Sequence, residues 1–275
     1  MRNLIKSDFI RVLKDKLIIV LCIIGAAFAL ITPLMYKGIL SMAEEDMVGL
    51  PMMDMFSAKT NFFTAFSLGN NFGLIVPVLI AIIICKDFSF GTVRNKIIGG
   101  HKRSEIFFSM FVTTFVSVFG VILLHALLTL AISLIFFDYQ SKPFEFYDVV
   151  YFIISLLLEV CVYLFVAALL SWMCASFKNV GIVIVMYVAL CFVMTLVSSI
   201  IMVAIQILSM DAVNETVVEV LEFIQRINIF NSYSYIGVGT EYKLEDVLYI
   251  VMPALVFTAG LIGLGTMKFN KKDLK

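Results

Sequence analysis

The sequence contains few of the residues that catalytic and metal sites usually require. Charged residues fill only 15% of the 275 positions, and there are two histidines and five cysteines. No two cysteines share a C-x-x-C spacing, and all lie in or beside apolar runs, which is typical of small buried hydrophobes. Metal and disulfide sites are therefore not predicted. A formal net charge of zero gives no general attraction to nucleic acid, which we do not expect as a partner.

Several catalytic motifs are also missing. No G-x-x-x-x-G-K-[ST] phosphate loop occurs, so this chain is not expected to bind ATP in the usual manner. Neither H-E-x-x-H nor G-x-S-x-G is present, and no aspartates are paired within the apolar runs. These absences argue against a membrane-embedded enzyme, and we predict that the chain itself is not an enzyme.

The sequence is rich in long apolar runs. Hydrophobic residues make up 62% of the chain, against about 45–50% in a soluble domain. A membrane-spanning helix needs about 20 apolar residues. Six runs qualify, at about 17–36, 62–85, 105–137, 149–176, 180–208 and 246–267. We predict an all-α polytopic membrane protein, a single transmembrane domain over residues 1–275. The second span is expected to be weakened at its outer end by Asn61, Gly69, Asn70 and Asn71.

The distribution of basic residues predicts the orientation. Fifteen lysines and arginines fall on the side of the two termini and the 86–104 loop, and five fall on the other side. The side that is rich in lysine and arginine is normally cytoplasmic. We therefore expect a multi-pass protein of the cell membrane with both termini in the cytoplasm.

Two amphipathic segments lie outside the spans. Residues 2–16 are predicted to form a basic helix in the inner headgroup layer. Its apolar face is Leu4, Ile5, Phe9, Val12 and Leu13, with Arg2, Lys6, Asp8, Arg11 and Lys14 largely opposite. On the outer side, residues 209–245 carry apolar residues at helical spacing, which favours an interfacial or partly re-entrant helical segment.

The loop at 86–104 has more local structure than a simple basic loop requires. Thr92 is a plausible helix N-cap, Val93, Ile97 and Ile98 form a short apolar stripe, and Gly99–Gly100 supply a stop. Arg94 and Lys96 are expected to form a basic edge facing the cytosol, and Ser104 with Glu105 is expected to cap the third span. The alternative is a loop that is basic only because of membrane topology. We favour a rigid helix on which another protein docks.

The stretch KDFSFGTVRNKIIGGHKRSEIFF resembles the first cytoplasmic loop of type-2 ABC exporter permeases. The similarity lies in Asp87-Phe88, Gly91-Thr92, the short helix Val93–Ile98 and the step Lys102–Glu105, although Asp87 stands where glutamate is frequent and Met110 where lysine is common. The order of an N-terminal elbow helix, six spans and an outer helical segment is similar too. The resemblance implies that the loop is a coupling helix on a separate ATPase. Its docking residues would be Asp87, Phe88, Gly91, Thr92, Val93, Arg94, Lys96, Ile97 and Ile98.

The resemblance also implies the composition of the transporter. Two copies of an ABC ATPase subunit, which bind ATP and Mg²⁺, would drive two permease chains in the lipid bilayer of a bacterial cell. Because the spans hold few charges, we expect a hydrophobic or amphipathic substrate, such as a peptide or a lipid-like compound. Antimicrobial peptide export or immunity is the first expectation, with sodium or drug export behind it. The alternatives are a stand-alone channel or secondary carrier, or a membrane-embedded enzyme.

Two ionisable residues lie deep within predicted spans. His125 and Glu159 are both about 15–18 Å from the outer boundary at 1.5 Å per residue, so adjacent antiparallel helices are expected to pair them. Intramembrane ionisable groups are functional candidates by default. The alternative, which we weigh more heavily, is that the pair only fixes helix packing.

Overall fold

The computed structural model describes residues 1–42, 56–69, 71–140, 143–177, 179–210, 215–236 and 242–271. Over these residues the fold is all-helical, as predicted. The helices are α1 (Arg2–Leu13), α2 (Lys16–Met42), α3 (Ala58–Thr64), α4 (Asn71–Ser89), α5 (Thr92–Ile98), α6 (Arg103–Phe136), α7 (Phe146–Ser176), α8 (Val180–Met210), α9 (Glu215–Ile227) and α10 (Leu244–Lys271), with a 3₁₀-helix at Ile229–Ser234.

Five of these helices are long and apolar enough to cross a bilayer, namely α2, α6, α7, α8 and α10. α4 is shorter, and it passes the same test of length and hydropathy only together with α5, in a pair bent by 51° between Phe88 and Thr92. Most helix bounds lie within four residues of the predicted runs, but α2 continues to Met42 instead of ending near residue 36. The chain therefore has the architecture of a multi-pass membrane protein.

The predicted second span is interrupted. α3 ends at Thr64 and α4 begins at Asn71, so the run 62–85 is not one continuous helix. The backbone of the break passes so close to the first turn of α4 that a side chain at Gly73 would overlap the Ser67 carbonyl. The Tyr163 hydroxyl donates a 2.7 Å hydrogen bond to the Phe66 carbonyl, which satisfies one polar group that the break exposes.

α6 and α7 form the centre of the bundle. α7 is buried along most of its length and packs against α10 and α6, whereas α8 keeps most of its side chains on the outside. Close approach requires glycine in α10, because a Cβ at Gly265 would overlap the Phe107 ring of α6, while one at Gly263 meets no atom within 4 Å. Between α4 and α7, Cys85 Sγ lies 3.0 Å from Cys174 Sγ.

The outer segment folds back along α8. Asn228, which follows α9, donates a 2.8 Å hydrogen bond to Ser198 Oγ, and the Phe230 ring lies 5.8 Å from that of Phe165 in α7. Ser198 is twelve residues before the end of α8, about 18 Å along the helix axis. A helical segment is thus present where one was predicted. Residues 211–214 and 237–241 of that prediction lie outside the described residues.

Candidate functional site

The most developed polar site lies at the end of the bundle that carries α1, α5 and the last turn of α10, which we call the basic end. Here α5 forms a short helix between α4 and α6. Its N-cap is Gly91, with a left-handed φ of 71°, so the prediction of Thr92 as the cap is wrong. Glycine adopts this conformation at little cost, and Thr92 is already helical. The stop at Gly99–Gly100 is confirmed, since Gly100 also has a positive φ of 86°.

The start of α6 is fixed by its own first turn and by α10. The Glu105 carboxylate accepts a 3.2 Å hydrogen bond from the Lys102 backbone N–H, while Ser104 is already inside the helix and does not cap it as predicted. Arg103 donates to the carbonyls of Phe269 and Asn270, at 3.4 and 2.9 Å. A cation at the end of α10 also complements the helix dipole. The end of the 90–102 connection that enters α6 is therefore anchored to α10.

A cluster of charged residues joins α1 to α4, α5 and α6. Asp8 accepts hydrogen bonds from Lys96 Nζ at 2.6 Å and from Ser109 Oγ at 2.7 Å. Arg11 Nη2 lies 2.6 Å from Asp87 Oδ2, and Lys96 Nζ lies 3.6 Å from the same oxygen. We call these four charged residues, together with Ser109, the charged cluster. Because it contains two carboxylates and two cations in mostly buried positions, its charges compensate one another.

A second ion pair holds the junction of α1 and α2. Lys86 Nζ lies 2.7 Å from Asp15 Oδ2, and the Leu17 backbone N–H donates to the other carboxylate oxygen. Partial burial alone would raise the pKa of Asp15, but the Lys86 hydrogen bond, the Leu17 hydrogen bond and the nearby positive charges outweigh it and lower that pKa. The junction is therefore stabilised by an ionised carboxylate.

The charged cluster was not foreseen from the sequence. Asp8 was placed on the polar side of α1, but it lies in the middle of the buried stripe formed with Leu4 and Val12. Lys96 was expected on a basic edge facing the cytosol, and its side chain is instead mostly buried against Asp8 and Asp87. The sequence did indicate the position of Asp8, because Leu4, Asp8 and Val12 are spaced four residues apart and such residues share one helix face.

The outward surface of α5 is partly apolar. Ile98 is 73% exposed, and Phe90, which precedes the helix, is 77% exposed. Arg94, four residues before Ile98, is exposed on the same side. We call Phe90, Arg94 and Ile98 the exposed face of α5. Exposed aromatic and aliphatic residues beside a cation are typical of a docking surface.

The predicted docking residues divide by burial. Asp87 and Val93 are buried, Arg94 and Ile98 are exposed, and the remainder are half-buried, namely Phe88, Gly91, Thr92, Lys96 and Ile97. Phe90 was not predicted, although it is the most exposed aromatic side chain of this loop. Among the predicted apolar residues of α1, Leu4 and Val12 are buried, Leu13 is exposed, and Ile5 and Phe9 are half-buried, as is Arg11.

The predicted pair of His125 and Glu159 is wrong. His125 Nδ1 is 3.0 Å from the Gly25 carbonyl of α2, and its ring lies 4.3 Å from that of Phe72. Glu159 is 2% exposed, and its Oε1 has no hydrogen-bond partner within the described part of the chain. Equal depth could be estimated from the sequence, but the rotation of each helix about its axis could not. His125 consequently faces α2 and α4 and not Glu159.

The fold and the site together define a multi-pass, all-α membrane protein with a charged, structured connection at one end. No group of three or more His, Cys, Asp or Glu residues that could hold a metal ion occurs among the described residues. No protein-family model matches the chain, and a search of curated proteins finds no match. The function must therefore be argued from the site itself.

Proposed function

We propose that this chain is the membrane-spanning permease subunit of an ABC exporter. Its ATPase subunits are separate chains, which bind ATP and Mg²⁺ and dock on α5 from the cytoplasm. The observation that carries the proposal is the exposed face of α5: Arg94 and Ile98 are exposed on a helix whose opposite side is anchored, and the exposed Phe90 directly precedes that helix. The loop's resemblance to type-2 ABC exporter permeases supports the same assignment.

The charged cluster supplies a route for mechanical coupling. A push on α5 is transmitted to α1 through the contact of Lys96 with Asp8, and α4 is linked to α1 through Asp87 and Arg11. α1 in turn contacts α6 through Asp8 and Ser109. ATP-driven closure of the partner dimer would therefore move α1 and α5 as one unit, and the membrane-spanning helices of each permease would rock as rigid bodies.

The proposed substrate is hydrophobic or amphipathic, such as a peptide or lipid-like compound. The long helices contain few charged residues, so a charged solute would find little compensation along them. Antimicrobial peptide export or immunity fits this class. A second copy of the permease, or a related chain, would complete the route.

Copurification from native membranes tests the proposal. Wild-type protein should bring down an ATP-hydrolysing chain of separate sequence that contains a phosphate loop. Arg94→Glu and Ile98→Asp should each abolish this, because both alter exposed side chains of α5 without touching the charged cluster. Lys14→Glu, an equal charge reversal at another exposed cation of the basic end, is the control and should retain the ATPase. Retention by all three variants would refute docking on this face.

A stand-alone proton-coupled carrier is the second candidate, and Glu159 is the observation that favours it. A buried carboxyl group without a partner at its Oε1 is an unusual feature within a membrane helix. Transport into sealed vesicles without ATP, driven by a pH gradient and lost in Glu159→Gln, would support the carrier. Transport that requires ATP and the copurified ATPase would exclude it.

A further inference from the structure

A groove of about 580 Å³ lies between α1 and α6, on a side of α1 that the charged cluster does not use. Its walls are apolar, with Ile5 and Phe9 on α1 and Val112 and Val116 on α6. The volume falls within the range of small-molecule sites. Val116 is exposed and the other three are half-buried, so the groove is open at its surface.

Cations stand at the rim of this groove. Arg2 and Lys6 line it and are exposed, and they lie four residues apart on one face of α1. Among the residues that the structure describes, no acidic residue lines the groove. Asp8, the nearest carboxylate along the helix, is held by Lys96 and Ser109 on the buried side of α1. The rim therefore presents uncompensated positive charge beside an apolar crevice.

A buried hydroxyl group also lines the groove without a partner. Thr113 is 1% exposed, and its Oγ1 makes no hydrogen bond within the described residues. Thr114, the next residue along the helix, by contrast donates to the Met110 carbonyl at 2.8 Å. Thr113 therefore leaves one buried hydroxyl group unsatisfied at the wall of the groove.

The position along α6 fits the inner layer of a membrane. α6 has 34 residues, about 51 Å, while the hydrocarbon core is about 30 Å thick. Val112 and Val116 lie nine and thirteen residues after the start of α6, about 14 and 20 Å along it. Centring α6 in the bilayer places both valines within the hydrocarbon, just beyond its cytoplasmic boundary.

We propose that this groove is a binding site for an anionic phospholipid of the inner leaflet. One acyl chain lies between Ile5, Phe9, Val112 and Val116, and the phosphate contacts Arg2 and Lys6. The lipid holds α1 against α6, beside the ion pairs that join α1 to α5. The lipid site does not depend on the proposed transport function.

Lipid retention by the purified full-length chain tests the site. The protein is placed in nanodiscs with equal amounts of phosphatidylglycerol and phosphatidylcholine, and the lipids that stay bound after transfer to detergent are counted by native mass spectrometry. Wild type should retain phosphatidylglycerol preferentially. Arg2→Gln with Lys6→Gln should lower this preference about thirty-fold, since each surface cation contributes a factor of about five. The control, Lys14→Gln with Lys16→Gln, has the same charge change and should retain the preference.

A second variant tests the apolar part of the groove. Val116→Trp should fill the crevice and abolish retention, and it should fold because Val116 is exposed. Leu124→Trp, at another exposed position of α6, is the matched control and should behave as wild type. The proposal would be overturned if wild type retained both lipids equally. It would also be overturned if the two double glutamine variants lost the same preference for phosphatidylglycerol, or if Val116→Trp retained the lipid fully. None of these results depends on an ATPase, so the proposed function would be unaffected by them.

Discussion

Removing the ammonium group of Lys96 should loosen α1 from α5. The Lys96 side chain is 12% exposed and that of Asp8 is 4% exposed, so the contact between them is largely shielded from water. Breaking a buried ion pair from one side costs about 3–5 kcal/mol, because it leaves the other charge uncompensated. Since Asp8 keeps its hydrogen bond from Ser109, we expect the lower value for Lys96→Met, about 3 kcal/mol.

Hydrogen exchange of α1 and α5 measures this loss directly. At 1.36 kcal/mol per factor of ten, 3 kcal/mol corresponds to a loss of protection of about 150-fold. Asp8→Asn should cost about 2 kcal/mol, because the amide oxygen can still accept from Lys96 and Ser109. The double variant should cost less than the two single changes together, by about 1–3 kcal/mol, since both remove one contact.

Arg94→Met is the matched control for the comparison of Lys96→Met, Asp8→Asn and their double variant. It removes a cation from the same helix, but Arg94 is exposed and outside the charged cluster. Surface substitutions of this kind change stability by about 0.5 kcal/mol or less. If Lys96→Met and Arg94→Met had equal effects, or if the double variant were strictly additive, Lys96 and Asp8 would not be coupled and the proposed mechanical link would be refuted.

Three further outcomes are expected. Wild type should lose thermal stability in acid, and Asp15→Asn should lose less. Because the folded-state pKa of Asp15 is lowered, the stability that its ionised carboxylate contributes is full above 3.8 and is lost as the pH falls through the lower folded-state pKa. Equal acid sensitivity of the two proteins would contradict this. Gly265→Ala should lower the free energy of unfolding by about 1–3 kcal/mol through overpacking against the Phe107 ring. Gly263→Ala in the same helix should be neutral or stabilising by up to about 1 kcal/mol. Thermal unfolding of the two variants measures the difference. Glu159→Met should increase the free energy of unfolding by about 1–3 kcal/mol, and so raise the melting temperature, because it removes a buried carboxyl group. A lower melting temperature would indicate that this carboxyl group makes a stabilising contact.

The long helices could be predicted because hydrophobic length is a local property of the sequence. α6, α7, α8 and α10 begin and end within four residues of the apolar runs that predicted them. The break before α4 was signalled by Gly69, Asn70 and Asn71, which disfavour a regular helix. The bond from Tyr163 to the Phe66 carbonyl had no such signal, since the two residues are 97 positions apart.

The candidate site was less accessible from the sequence because it depends on contacts between distant segments. The helix α5 and its glycine stop are local features, and both were predicted. The partners of Lys96 are distant in the sequence. Lys96 lies two residues after Arg94, and both were therefore predicted to form a solvent-exposed basic edge. Asp8 was misassigned for a related reason: a carboxylate was counted as polar even though its spacing from Leu4 and Val12 placed it on the buried face.

The two adjacent thiol groups between α4 and α7 give the protein an internal reporter of movement. Cys85 lies near the end of α4, four residues before that helix ends and just ahead of α5, and its sulfur atom touches that of Cys174. In the proposed transport cycle, a stroke that slides α4 along α7 would separate these sulfur atoms and later reunite them. Mild oxidation would then arrest the stroke at one position and a reductant would release it, so the cycle could be paused in the native chain without introducing any cysteine.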